Sequence, residues 1–483
     1  MIDIKNKFLK IDNDVLVLFF GRALQALLSL IALRAITTFL EPDEVGNYYL
    51  ILSIIFFFSY IALNPVAMYF NRHLLVWRDQ SKLLEILTLF VFFILIVALI
   101  SAFLITFIFY YLGYNEKFIY FEFLFLVVSS IIFSTLHRNI LNGINIFENR
   151  KEFVLLTITT LTLGLVLSIS IIIFYKANAT AWFFGVILSE ILILYFSLKK
   201  FISPFYRSIS NFYPKYKSIS INEILNFCVP IFLTNIMLWV QLYLYRVIVD
   251  SKYDSIILAE IGVALSIPIA IFALAESVIM QYYYPIYLKK IKNKDHHQRS
   301  NAWKELVSNI IPIYFFICLF VFVNSKGLLI ILTSDNFHHV YVLSSIAILI
   351  ELFRVLSNLM NQFLQAEYKT EVAIKPYFFG AVYVVLSLFI LDFSEFKEGI
   401  IISLVVGNAL TFFLMYRKIS SIINMQDLHN KQNYQGMIIY SIPFLLAILL
   451  GYEADSILGI LSFFGFYAIY MIYVIYSLNT RNY

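Results

Sequence analysis

Charge is what this sequence has least of. Asp, Glu, Lys and Arg make up 13% of its 483 residues, against about 25% in a soluble domain. Hydrophobic residues make up 61%, and the mean hydropathy is +0.85. That many apolar residues cannot be hidden in a water-soluble core of this size, so a large soluble helical protein is excluded. Cysteine is scarce too. Cys228 and Cys318 both fall inside apolar runs, which argues against a disulfide framework. There is no P-loop, no Gly-rich nucleotide fingerprint and no Ser/His/Asp arrangement, so no enzyme chemistry is expected. His296-His297 and His338-His339 are expected in loops without Cys or carboxylate partners at metal spacing. No metal or cofactor is therefore expected. A cleavable signal peptide is not expected either, because the first apolar run is too long for one and lacks a small-residue cleavage site.

What is present is a series of apolar runs, each long enough to cross ~30 Å of hydrocarbon as helix. They lie near 15–39, 46–70, 84–112, 118–141, 153–175, 180–198, 224–249, 257–283, 305–325, 339–362, 376–393, 398–416, 436–452 and 457–478. The expected fold is an all-α polytopic membrane protein of about fourteen helices. The run 436–452 is short and contains Pro443.

Lys and Arg alternate between the connecting segments. Of the 35, 26 fall on one side, 5 (Lys117, Lys176, Lys252, Lys326 and Lys397) on the other, and Arg22, Arg34, Arg246 and Arg354 inside helices. Cytoplasmic loops retain positive charge, so both termini are expected in the cytoplasm, and the chain in a bacterial inner membrane. The longest hydrophilic stretch, 199–222, carries Lys199, Lys200, Arg207, Lys215 and Lys217 without an acid. Its place between membrane helices points to topology and anionic headgroups rather than nucleic acid. The loops on the opposite side are short, such as Glu41-Pro42-Asp43-Glu44, and none could fold as a separate domain.

The chain also repeats itself. Arg34 and Arg246, Glu44-Val45-Gly46 and Glu260-Ile261-Gly262, Asn139 to Gly143 and Gln362 to Ala366, and Lys199-Lys200 and Arg417-Lys418 recur in order at offsets of 212 to 223 residues. The expected organisation is a six-helix lobe over 1–198, a basic linker over 199–222, a second six-helix lobe over 223–418 and an extra helix pair over 419–483. Six helices per lobe give the copies one orientation, with substrate sites expected between them.

Ionisable and strongly polar residues within the spans are the candidate site residues, because an ionised side chain at mid-bilayer costs at least ~2.5–3.5 kcal/mol. Arg22, Gln25 and Ser29 share one face of the first helix. Arg34 and Arg246 sit near the ends of equivalent helices, where snorkelling competes with function. Ser53, Tyr60, Asn64 and Asn71 line one face of the second helix, and Ser344, Glu351, Asn358 and Gln362 line one face of the tenth. Such stripes serve helix packing or ligand binding. Arg354 can pair with Glu351 three residues before it. The membrane acids Glu190, Glu276 and Glu351 could each hold a proton or sodium ion, or balance an Arg. Glu276 is favoured for coupling, because no basic residue is near it in sequence.

The first helix ending Ala32-Leu33-Arg34, followed by Glu41-Pro42-Asp43-Glu44-Val45-Gly46-Asn47-Tyr48, resembles the opening of the Wzx-type O-antigen flippases. These form the polysaccharide transporter branch of the multidrug/oligosaccharidyl-lipid/polysaccharide (MOP) exporter superfamily. The turns Leu141-Asn142-Gly143 and Leu364-Gln365-Ala366 are similar to that branch as well, and the resemblance covers about residues 15–420. It implies a flippase that moves an undecaprenyl-pyrophosphate-linked oligosaccharide to the periplasmic leaflet by alternating access, for lipopolysaccharide or another polysaccharide. Arg22, Arg34, Arg246 and Arg354 would form a cationic wall, with Gln25 and Asn64 beside them. Polysaccharide assembly proteins and membrane lipids are the implied partners. Two alternatives stay open: a MATE-like cation-coupled drug exporter, which would want acidic cavity residues, and a polysaccharide polymerase or ligase, which would want a large outer loop.

Overall fold

The computed structural model of the chain describes residues 13–202, 221–291, 295–367, 369–423, 431–453 and 455–481. Most of the basic stretch 199–222 therefore lies outside the described residues. Helix accounts for 90% of the structure, with no strands among the described residues. Among the described residues, twelve helices are long and apolar enough to cross a membrane. They are α1 (Val17–Phe39), α2 (Pro42–Asp79), α3 (Leu83–Tyr111), α4 (Tyr120–Ile146), α5 (Arg150–Phe174), α6 (Ala179–Ile202), α7 (Asn222–Lys252), α8 (Ser255–Ile291), α9 (His296–Leu332), α10 (Asp335–Ala366), α11 (Glu371–Ile390) and α12 (Glu398–Ser420). Two more, α13 (Lys431–Leu449) and α14 (Ile457–Arg481), complete the expected fourteen. The chain is an all-α polytopic membrane protein.

Several helices outrun the hydrocarbon. α8 and α9 have 37 residues each, about 55 Å at 1.5 Å per residue. Their polar ends continue as helix beyond the lipid, which apolar length alone does not reveal. His296-His297, expected in a loop, open α9 instead, where Asp295 accepts the backbone N–H of Gln298 and caps the first turn. His338-His339 lie in a 3-10 turn at the start of α10.

Two helices contain a π turn. In α2 it spans Ser59–Leu63 and in α4 Ser130–Ser134. The first has a local cause. The N–H of Asn64 bonds to Ser59 O, the i−5 register, and Pro65 follows with no N–H to give. The Tyr60 carbonyl is thus left without a helical donor, and the Asn235 side-chain amide of α7 supplies one at 2.7 Å. π turns of this kind are frequent at functional sites.

Packing divides the chain into two compact units, Met1–Ala259 and Glu260–Tyr483. The boundary lies beyond the linker expected at 199–222, and α7 packs within the first unit. Trp239 Nε1 donates to Ser53 O at 3.0 Å and fastens α7 to α2. Within this unit α5 and α6 approach closely because of glycine. A Cβ on Gly185 would stand 2.3 Å from the Ser168 backbone N, and Ser168 Oγ donates to Trp182 O at 2.7 Å. Gly185→Leu is expected to push the two helices apart and cost ~1–3 kcal/mol. A melting temperature in detergent unchanged from the parent protein would contradict that.

In the second unit, α13 and α14 pack on α9 through Val323, Phe444, Ala447 and Phe463. Lys326 meets Glu453 at 2.5 Å and Asp455 at 2.9 Å. At the other end of α9, Arg299 Nε and His296 Nδ1 reach Glu367 at 2.8 and 2.9 Å. The Arg299 hydrogen bond holds the Glu367 carboxyl below its usual value. That contribution to stability is complete above the unfolded value of 4.5 and is lost as pH falls through the lower folded value. The expected signature is a stability gap between the parent and Glu367→Gln that is widest near neutral pH and narrows below about pH 4. A gap that is flat with pH would remove the ionic explanation.

The repeat has a structural counterpart at the end of each unit opposite the basic loops. Glu44 Oε2 accepts the backbone N–H of Ala179, the first residue of α6, at 2.7 Å. Its sequence equivalent, Glu260, accepts Lys397 Nζ, just before α12, at 2.7 Å. In both units the glutamate that opens the second helix of the repeat latches the start of the sixth.

Candidate functional site

The first unit gathers a guanidinium into a ring of tyrosines. α7 breaks at Tyr243, whose backbone leaves the helical region (φ −133°, ψ −29°), and resumes at Leu244. The break carries Arg246 into the interior, where it is 4% exposed. Its Nε donates to Tyr245 Oη at 3.2 Å and its Nη1 to Tyr49 O at 3.4 Å. The rings of Tyr49, Tyr243 and Tyr245 lie 5.2–5.7 Å from the guanidinium carbon, within cation–π range. No carboxylate pairs with Arg246 among the described residues. A guanidinium has five N–H donors, so this one retains both charge and donors for an anion.

The end of α7 is fixed by a separate cluster. Lys117, from the α3–α4 connection, bonds Asp250 Oδ1 at 2.6 Å and Ser255 Oγ at 2.9 Å. Ser255 Oγ also donates to Asp250 Oδ1 at 3.0 Å. A Cβ on Gly46 would fall 1.8 Å from Ser255 O, so only glycine fits there. These contacts position the Arg246 segment, and the sequence reading missed them.

Arg22 is half-buried on α1. It donates to Gln25 Oε1 at 3.0 Å and lies 5.7 Å from the centre of the Phe153 ring. The shared face expected for Arg22 and Gln25 is therefore real at these two residues, and Ser29 is exposed further along it. Arg34 is half-buried and lies a full turn before the end of α1. Asn64 closes the π turn of α2. The polar face of α2 serves packing at two of its members: Tyr60 O receives Asn235, and Asn71 Nδ2 reaches Asn139 Oδ1 of α4 at 3.4 Å.

The second unit has a different electrostatic arrangement. Arg354 donates from Nε to Glu351 Oε2 at 2.8 Å and from Nη1 to Glu276 Oε2 at 3.0 Å. Asn358 Nδ2 donates to the other Glu276 oxygen at 2.9 Å. The polar stripe of α10 thus lies against α8, and Gln362 Nε2 meets Met280 Sδ one turn further on. Glu276, with no basic residue near it in sequence, is met by a cation from 78 residues away, and one expectation needs correcting. Arg354, expected in a cationic wall, is held between two carboxylates and has no charge left for an anionic ligand. With all three ionised, the group is one negative charge in excess. Glu190 on α6 is the remaining membrane acid. It accepts the Ser134 hydroxyl at the end of the π turn of α4, and no cation pairs with it among the described residues.

No protein-family model and no curated protein matches the sequence. Solved structures do match. The chain superposes on the structure titled lipid II flippase MurJ, inward closed conformation, with a TM-score of 0.64 and 14% identity, over 95% of this chain and 99% of that one. An inward-facing multidrug resistance MATE family transporter of the MOP superfamily gives 0.60 and 12%, over 83% and 95%. A point mutant of the Vibrio cholerae MATE transporter VcmN gives 0.59 and 12%, over 86% and 97%. At these identities the likeness establishes the fold alone, which is the one these transporter structures share.

Proposed function

We propose that the chain is a flippase that moves an undecaprenyl-pyrophosphate-linked oligosaccharide from the cytoplasmic to the periplasmic leaflet of a bacterial inner membrane, with both termini cytoplasmic. The observation that carries this reading is Arg246, a buried guanidinium with no acid beside it among the described residues. A pyrophosphate cannot cross lipid alone, and a guanidinium can grip it through paired N–H donors. Arg22, Gln25, Arg34 and Asn64 are the further headgroup contacts. The lipid II flippase among the structures of this fold supports a lipid-linked substrate, and alternating access would carry its headgroup between leaflets.

Glu276, Glu351 and Glu190 are the coupling-ion candidates, for a proton or a sodium ion. The excess negative charge around Arg354 also favours a second reading, a MATE-like cation-coupled drug exporter, since such a site suits a cation. One experiment separates the two. In a bacterium that carries this chain, deleting its gene is expected to remove surface polysaccharide and leave the lipid-linked oligosaccharide on the cytoplasmic leaflet. Unchanged surface polysaccharide, together with new sensitivity to cationic dyes, would overturn the flippase reading and establish the exporter.

A further inference from the structure

The second unit holds a cavity whose lining belongs to neither the Arg354 cluster nor the transport reading. It lies between the start of the regular helix of α11, Ile374–Ile390, and the end of α12. Its volume is about 390 Å³, and it is lined by Lys375, Pro376, Phe379, Leu414, Arg417 and Lys418, with Ser421 at its edge. Three cations therefore border one space with apolar walls. All three are exposed, and none pairs with a carboxylate among the described residues. Some cations elsewhere on the basic-loop side do meet acids: Lys200 with Glu152 at 2.6 Å, Lys290 with Glu305 at 2.5 Å, Arg299 with Glu367 at 2.8 Å.

Helix electrostatics explains only part of the cluster. Arg417 and Lys418 occupy the last turn of α12, where the helix dipole favours cations. Lys375 is on the first turn of its helix, where the dipole favours anions. A lysine there adds positive charge to an already positive helix end and faces the two cations of the neighbouring helix. Such a concentration raises the local positive potential and attracts an anion. The walls say which kind. Phe379, 52% exposed, and Leu414 offer hydrocarbon beside the charges, which suits a ligand that is anionic at one end and apolar along its length.

We propose that this cavity binds the phosphate headgroup of an anionic phospholipid, with Lys375, Arg417 and Lys418 on the phosphate and the acyl chains along Phe379 and Leu414. Basic pockets between membrane helices bind such headgroups. A free phosphate shares the charge but not the chain, so the two are separable.

The test is equilibrium binding of a fluorescent phosphatidylglycerol to the purified full chain in neutral detergent. Unlabelled phosphatidylglycerol, phosphatidylcholine and inorganic phosphate serve as competitors. The triple variant Lys375→Gln, Arg417→Gln, Lys418→Gln is expected to weaken binding by about tenfold or more. A control removing the same charge elsewhere on the basic-loop side, Lys82→Gln, Lys199→Gln, Lys289→Gln, is expected to stay within about twofold of the parent. Unlabelled phosphatidylglycerol should compete, and phosphatidylcholine should not. Equal loss in both variants would reduce the effect to diffuse surface charge and overturn the site. Undiminished binding in the first triple variant would overturn it as well. Competition by inorganic phosphate as strong as by phosphatidylglycerol would reassign the cavity to a free anion and overturn the lipid proposal. Melting temperatures of both variants show that the chain remains folded.

Discussion

Arg246→Ala is expected to reduce surface polysaccharide by about a hundredfold, because it removes the guanidinium proposed to grip the substrate pyrophosphate, and losing one partner of a buried charge pair costs ~2–5 kcal/mol. The mechanism predicts more than a loss. Arg246→Lys keeps the charge but discards the planar fork and its stacking against three tyrosines, and the two residues are not interchangeable at such a site. Lysine should therefore recover less than about a tenth of the parent flux. The alanine variant also leaves a void within the tyrosine ring, so protein abundance in the membrane must be measured alongside flux. Near-normal polysaccharide at normal abundance in Arg246→Ala would remove the observation on which the flippase reading rests. A phenylalanine at Tyr243 separates the ring's roles. It preserves the aromatic face over the guanidinium, so flux should fall far less than in the alanine variant of Arg246.

Arg354→Met should have the largest effect on folding. It strands Glu276 and Glu351 together, one half-buried and one 3% exposed, and removing one partner from a buried ionic group costs ~3–5 kcal/mol. The second unit should become unstable enough that little folded protein is recovered from the membrane. Adding Glu276→Gln and Glu351→Gln to Arg354→Met removes the stranded charge, and the triple variant should regain most of the stability. The replacement of such clusters by neutral side chains is often tolerated. Recovery of folded protein with continued loss of transport would assign the group to ion coupling. Full recovery of both would make it a helix fastener only. A triple variant as unstable as Arg354→Met would refute the charge argument.

The sequence made the helices legible because crossing a membrane is a local property, set by the length of an apolar run. Arg246 drew attention for a related reason: an arginine amid hydrocarbon needs explaining wherever the helix ends up. Pairing between helices was not legible. Glu276 has no base near it along the chain, yet Arg354 arrives from α10. Lys117 counted only as a lysine on the less basic side, yet it fastens the end of α7 from 133 residues away. Nothing in the sequence around Pro65 says that Asn235 would replace the missing donor. The packing boundary escaped for the same reason. Nothing in the composition of α7 says that Trp239 and Asn235 fasten it to α2. Spacing along one helix defines its faces, whereas the neighbour that covers each face is decided only when all the helices assemble.

The latches that begin with Glu44 and Glu260 are unequally exposed to mutational drift. Ala179 contributes only main-chain N–H to the bond, which any amino acid but proline would supply, so a change there is limited by the space around its fully buried side chain rather than by the bond. Lys397 contributes a side-chain ammonium, which most single-nucleotide changes would abolish. Among relatives of this chain, position 179 should therefore stay small, because its side chain is fully buried, and avoid proline, while position 397 should change in step with position 260.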